Sequence, residues 1–276
     1  MTTATAPDRD AVWRHTLGAH ADAHAAVRRR FGLAPEPDFA DRVLAAYRPP
    51  AWAVGSVGVL DAMVLRDMVH GVEPEAVIEI GTAAGTSALV LACAMHEIGR
   101  REPGCVRTYD LHPGCFFDRS RAAGSAIDAA PRELSRLIAR RVRSTASDAA
   151  RELRGAGVSL AFIDADHRHP MPAADVLALA PALAPGAWVV LHDIDLPAAA
   201  ERYERAHGLA VDWKQHGAQW LFEAWPFEKL RAGAHTNIGA VRIPESGPVR
   251  ASDLAPCLRR PWEVQPDADA AAILET

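Results

Sequence analysis

The sequence predicts an α/β fold built on a parallel sheet. Three observations carry this. Short β-branched runs recur along the chain, stretches of helical character separate them, and the first run passes through a glycine loop straight into a helix. The 276 residues suffice for one large domain with appendages. With 49% hydrophobic and 24% charged residues, the composition is that of a globular protein with a real core.

Residues 1–50 read as an N-terminal helical extension. "DAVWRHTLGAHADAHAAVRRRFGL" and "DFADRVLAAY" are its helices, with Arg28 to Arg30 on a solvated face. "RPPAW" interrupts the pattern, and the core is expected over 51–244. In "SVGVLDAMVLRDMVHGV", Leu60, Val64 and Met68 recur four apart, which predicts a helix ending near Gly71.

The buried strand "AVIEI" follows, then the loop "GTAAGTS" and a helix. "CVRTYDL" reads as the second strand, ending in Asp110. "RRVRSTAS" is the third, "VSLAFIDAD" the fourth and "AWVVLHDI" the fifth. "DRSRAAGSAIDAAPRELSRLIA", "DAARELRGAG" and "PAADVLALAPALAPG" suit the intervening helices. "AQWLFEAW" and "NIGAVRIP" read as two late strands. Trp220, Phe222 and Trp225 then line a half-buried edge or a substrate wall, while Trp188 packs in the core. His235 and Asn237 stand on a loop able to overhang a pocket. The tail, 245–276, is rich in Pro and Ala and shows no firm element; no internal repeat is evident.

The net charge is −5 and the arginines fall in short runs, which argues against a nucleic-acid partner. No apolar run reaches membrane-spanning length, and "MTTATAPDRD" lacks the regions of a signal peptide. The four cysteines show no C-x-x-C spacing and read as reduced thiols of a cytoplasmic protein; self-association stays open.

Glu79, Gly81 and Gly85 form E-x-G-x-x-x-G at a strand-to-helix junction. Glycines there permit a tight turn and close approach to a ligand. The spacing is neither the dinucleotide fingerprint nor a P-loop, and an ordinary β-α turn is the bland alternative. An acidic Glu79 in the turn repels a pyrophosphate but suits an amine cation. Asp110 can accept both hydroxyls of a ribose, and Ser147 and Asp148 follow the third strand where an adenine can be addressed. All fall at the carboxyl ends of strands, where such sheets bind ligands.

The run "FIDADHRHP" from Phe162 crowds carboxylates and imidazoles past the fourth strand. Asp164 and Asp193 end neighbouring strands, His192 precedes Asp193, and His167 lies three residues beyond Asp164. Asp164, His192 and Asp193 form a candidate set for a divalent ion such as Mg or Mn. His167 is the candidate base, with Asp164 beside it and His169 second. The bland alternative makes both aspartates loop caps.

In this setting the sequence resembles the class I S-adenosylmethionine (SAM)-dependent methyltransferases over roughly 55–244. "IEIGTAAGTS" is similar to their first motif, "TYDL" to their second, and "FIDADH" with "LAPGAWVVLHD" to their fourth and fifth. The resemblance implies a Rossmann-like, doubly wound, seven-stranded sheet with the last strand antiparallel. It implies SAM held by Glu79, Gly81, Thr82, Gly85, Ser87, Asp110, Ser147 and Asp164. The strand-end cluster is similar to that of macrocin-type O-methyltransferases, in which D-x-x-H precedes an acidic pair. Here His192 replaces the first acid of that pair. In the catechol-type pattern an Asn would follow Asp193, and Ile194 stands there. The expected activity is O-methylation of a small molecule, as in natural-product biosynthesis. N-methylation, a catalytically silent SAM-fold subunit and a nicotinamide dehydrogenase are the rivals.

Overall fold

The computed structural model describes residues 24–36, 49–53, 56–233 and 236–275. Seven strands form one sheet: β1 (Val77–Ile80), β2 (Val106–Asp110), β3 (Ile138–Val142), β4 (Val158–Ile163), β5 (Leu183–His192), β6 (Lys229–Arg231) and β7 (Ile238–Arg242). Their order is β3-β2-β1-β4-β5-β7-β6. The first five run parallel, and β7 is antiparallel to both of its neighbours. The expected α/β sheet with a reversed last strand is therefore present.

The principal helices are α1 (Val59–Val72), α2 (Thr86–Glu97), α3 (Ala146–Glu152), α4 (Met171–Leu179), α5 (Leu196–His207), α6 (Gly217–Ala224) and α7 (Ala268–Leu274). Side chains alternate between the two faces of a strand, so the sheet separates two cores. Val77, Leu160, Phe162 and Val190 pack with Leu65 and Met68 of α1 and Leu91 and Met95 of α2. Ile78, Ile80, Ile163 and Leu191 pack with Val176 of α4, Leu221 of α6 and Leu274 of α7. Alternation puts Glu79 on the Val77 face, under α2, where it is fully buried.

Several expectations are corrected. "AQWLFEAW" is helix α6, not a strand. Ala218, Leu221, Phe222 and Trp225 are its buried residues, at i, i+3, i+4 and i+7, so the helical period governs the segment. The sixth strand lies further on, at Lys229–Arg231. "DRSRAAGSAIDAAPRELSRLIA" is not one helix. Gly124 (φ 75°) and Pro131 interrupt it, leaving single turns at Ser125–Asp128 and Arg132–Ser135. Ile138 and Ala139, placed in that helix, open β3 instead, and Thr145, placed in the third strand, caps α3. The tail is not structureless. It carries α7, and Leu254, Cys257 and Leu274 join the core.

Residues 24–30 are helical. The part of the expected extension before residue 24, and all of "DFADRVLAAY", lie outside the described residues, as does His235. Arg28 does not belong to a solvated face. It is buried, donating to Asp67 at 2.7 Å and to Ala34 O, while Arg30 pairs with exposed Glu228. Trp188 is in the core as expected, edge-on to Phe31 at 5.8 Å. Among the described residues no helix is long and apolar enough to cross a membrane.

Candidate active site

The register of the sheet sets out the rim. Ile80 is level with Ile163, and Ile163 with Leu191. Asp164 and His192 therefore emerge side by side, with Asp193 one residue beyond. His192 is opposite Ile238 on antiparallel β7, which brings Asn237 to Asp193. The Asn237 amide donates a short hydrogen bond to Asp193 Oδ1, and its carbonyl oxygen accepts from Asp195 N at 3.1 Å. An amide thus reaches Asp193 from a different strand than the adjacent position held by Ile194. Pairing of distant strands is not visible in local spacing, so sequence reasoning missed this role.

His167 Nε2 stands 3.0 Å from Asp193 Oδ2 and 3.7 Å from Asp164 Oδ1. Asp164, His167 and Asp193 each offer one ligand atom, and the three lie within 4.8 Å of one another, a spread that suits one cation. His192 occupies a different position. Its Nδ1 is 3.3 Å from Asp164 Oδ1 and 3.3 Å from Asp193 Oδ1, and its Nε2 is 3.3 Å from Asp61 Oδ2. Asp61, which the sequence reading did not single out, caps α1 by accepting from Gly58 N at 2.9 Å.

Burial opposes charge on His192, but the Asp164 and Asp193 carboxylates outweigh it and hold its pKa well above the usual imidazole value. Burial opposes charge on His167 as well, and its hydrogen bond to Asp193 reverses the balance and raises the pKa. Desolvation pushes Asp193 up, yet the two imidazoles keep it well below the ordinary carboxylate range. The rim carries a network of mutually stabilised opposite charges.

Next to it, the β1–α2 loop is drawn onto the end of β2. Asp110 Oδ2 accepts from Thr82 N at 3.2 Å and Ala83 N at 2.9 Å, and Oδ1 accepts from His112 N at 2.8 Å. A carboxylate offers about four acceptor positions, so one is left for a ligand hydroxyl where two were expected. Thr82 Oγ1 meets Thr108 Oγ1 at 2.6 Å, below the sheet rim and out of solvent. Gly81 (φ 99°) lies against β4: a Cβ there would stand 2.0 Å from Asp164 O and 2.6 Å from Asp164 C. Its lack of a side chain is thus a requirement of strand-end packing. At Gly85 (φ 87°) a Cβ would meet Ile127 Cγ1 at 2.7 Å.

Neither oxygen of buried Glu79 has a well-formed hydrogen bond among the described residues. Burial raises its pKa to about 8; the nearby Ser87 and Thr108 hydroxyls lower it, and Asp164 and Asp110 add to the rise. Ser147 sits half-buried in the first turn of α3. Asp148 is engaged by its own helix: it accepts from Thr145 N at 2.9 Å and from Arg151 at 2.6 Å, completing the α3 cap. His169 points into the core beside Cys257 and Trp220, away from the rim residues.

Residues 78–194, from β1 to just past β5, match the family model described as a methyltransferase domain. Over this stretch the chain is similar to a methyltransferase domain. Among solved structures, cofactor-bound Rv0187 from MTB is 19% identical, with a TM-score of 0.51 over 87% of this chain and 97% of that one. The O-methyltransferase TomG from Streptomyces achromogenes, involved in tomaymycin synthesis and solved with SAM, is 18% identical, with a TM-score of 0.50 over 85% and 96%. At these identities the likeness establishes the fold alone. No curated protein matches the chain.

Proposed function

We propose that the protein transfers a methyl group from SAM to a hydroxyl of a small molecule, at the rim formed by Asp164, His167 and Asp193. The observation that carries this reading is the convergence of these three groups beside the glycine loop of a methyltransferase domain. SAM supplies an electrophilic methyl group. Glu79, a buried carboxyl without a good hydrogen bond, fits the cofactor's amine, and the remaining acceptor position of Asp110 fits a ribose hydroxyl. Gly81, Thr82, Gly85 and Ser87 shape the loop around it, with Asp164 at its edge and Ser147 toward the adenine.

The acceptor hydroxyl must lose its proton as it is methylated. His167, held by Asp193, is the group placed to take it when its ring is neutral. The donor set also fits a divalent Mg or Mn ion, held by Asp164, Asp193 and His167; such an ion lowers the pKa of a hydroxyl bound to it. His192 would join as a ligand only after losing the proton that Asp164 and Asp193 stabilise. With His167 as a ligand, the proton passes to solvent instead. The residues at 51–244 form the catalytic core, acting on a small molecule as a cytoplasmic enzyme of natural-product type. The test is methyl transfer from SAM to a panel of phenols, sugars and amines, with the methylated atom located by NMR. Methylation of amines alone would transfer the reading to N-methylation.

Glu79 gives a pH-dependent signature. Its pKa in the free protein is raised from 4.5 to about 8, so it holds a proton between those values. A bound ammonium favours the carboxylate. SAM binding should therefore release a proton at pH 7, and the release should disappear once the pH passes about 8, where Glu79 is already ionised. Calorimetry in buffers of different ionisation heat measures this. Buffer-independent heats at pH 7 would remove Glu79 from the amine site.

Asp110→Asn tests the loop. One end of the amide is a donor, so it faces either the Thr82 and Ala83 amides or the His112 amide, donor against donor. Losing a hydrogen bond to a charged group costs about 1.5–3 kcal/mol, so SAM should bind on the order of ten- to a hundredfold more weakly. Undiminished affinity in the folded variant would show that neither the loop tether nor the ribose contact matters.

A further inference from the structure

We propose that Glu263, in the C-terminal tail beyond the methyltransferase match, is a positioning residue for His167. The inference rests on the reading that His167 belongs to the reacting site. His167 lies on the loop from Asp164 to Pro170, between β4 and α4, and the loop is fixed from outside. Glu263 Oε2 accepts from His169 N at 2.7 Å, while Glu263 N donates to His169 O at 2.8 Å and Val264 N to the same oxygen at 3.2 Å. The tail thus pairs with the loop backbone two residues past His167.

The same carboxylate holds the start of α6. It accepts from His216 N at 3.1 Å and meets His216 Nδ1 at 2.7 Å. The next residue, Gly217, donates through its N–H to His167 O at 2.9 Å. A Cβ at Gly217 would stand 2.6 Å from that oxygen, so the approach is close. Glu263 therefore grips His167 on both sides, through His169 in the loop and through His216–Gly217 in α6. The His169 ring is fully buried, edge-on to Trp220 at 5.2 Å, and His216 stacks on the same indole at 4.7 Å. With the loop anchored at His169, the His167 ring projects to the rim, 3.0 Å from Asp193. Nothing else in the tail touches the loop through a charged side chain among the bonds described, so this one carboxylate links residues 94 and 47 positions away.

The experiment reads the ring carbon and proton NMR signals of histidine-labelled protein at one fixed pH. The His167 signal is assigned by its loss in His167→Gln. In Glu263→Ala the His167 signal should shift and broaden, while that of His70, on α1, stays in place. Glu263→Gln should keep the wild-type position, because its side-chain oxygen still accepts from His169 N. If Glu263→Ala does not fold, Glu263→Asp, one methylene too short to hold both His169 and His216, is read in its place and should shift the signal likewise. An unmoved His167 signal in a folded Glu263→Ala or Glu263→Asp protein overturns the proposal. Equal shifts in the Gln and Ala variants overturn it too, because they mark general loosening. The ring signal reports this coupling whether or not His167 takes part in methyl transfer, so a failure of positioning and a failure of the catalytic reading give different results.

Discussion

Gly81→Val is expected to unfold the protein far more readily than any neighbouring substitution. The added Cβ would fall 2.0 Å from the carbonyl oxygen of Asp164, a backbone atom fixed in place because Asp164 N donates to Ile80 O at 2.8 Å. No rotamer change relieves the collision, and the strand end must move. The backbone at φ 99° adds strain, since only glycine adopts it readily. Overpacking costs about 1–3 kcal/mol, and left-handed backbone about 1–2 kcal/mol, so a loss of roughly 2–5 kcal/mol is expected. Gly155→Ala is the control: φ is 74° there and nothing lies within 4 Å of the new Cβ, so only the strain remains. Denaturant unfolding of the two variants measures the difference. Equal midpoints for Gly81→Val and the parent would mean that the loop can withdraw from β4 at little cost.

The second large effect is on turnover. Removing the His167 ring should lower kcat by about 10²–10⁴-fold if it acts as general base. If a divalent ion activates the acceptor, a chelator should abolish turnover, Mg²⁺ or Mn²⁺ should restore it, and SAM binding should persist throughout. Asp193→Asn should reproduce the loss in either case, because Asp193 is 3.0 Å from His167 and also belongs to the three-ligand group. The two mechanisms separate on the chelator: turnover that survives it but falls in His167→Ala identifies the base. Full activity in chelator and in His167→Ala together would leave positioning of an already ionised nucleophile as the means of catalysis.

Much of the rim was legible in the sequence. Asp110, Asp164 and Asp193 each follow a β-branched run, and a parallel sheet brings the ends of such runs to one edge. What was not legible came from long-range pairing. Asn237 reaches Asp193 only because β7 runs antiparallel beside β5, and Asp61 reaches His192 from the first turn of α1. Arg28 looked like part of an exposed basic run, but Asp67, thirty-nine residues on, takes it into the interior. The misread segment at α6 had its answer in its own spacing. Ala218, Leu221, Phe222 and Trp225 recur with the helical period, and the aromatic content favoured a strand only by propensity. At Gly81 the local pattern shows that a glycine is needed, not which atoms crowd it.

The most direct test is a structure of the protein with S-adenosylhomocysteine bound. The account predicts the amine of the ligand at Glu79, a ribose hydroxyl at Asp110, and the sulfur facing the rim of Asp164, His167 and Asp193. A ligand bound with its sulfur away from that rim, or with its amine remote from Glu79, would contradict it.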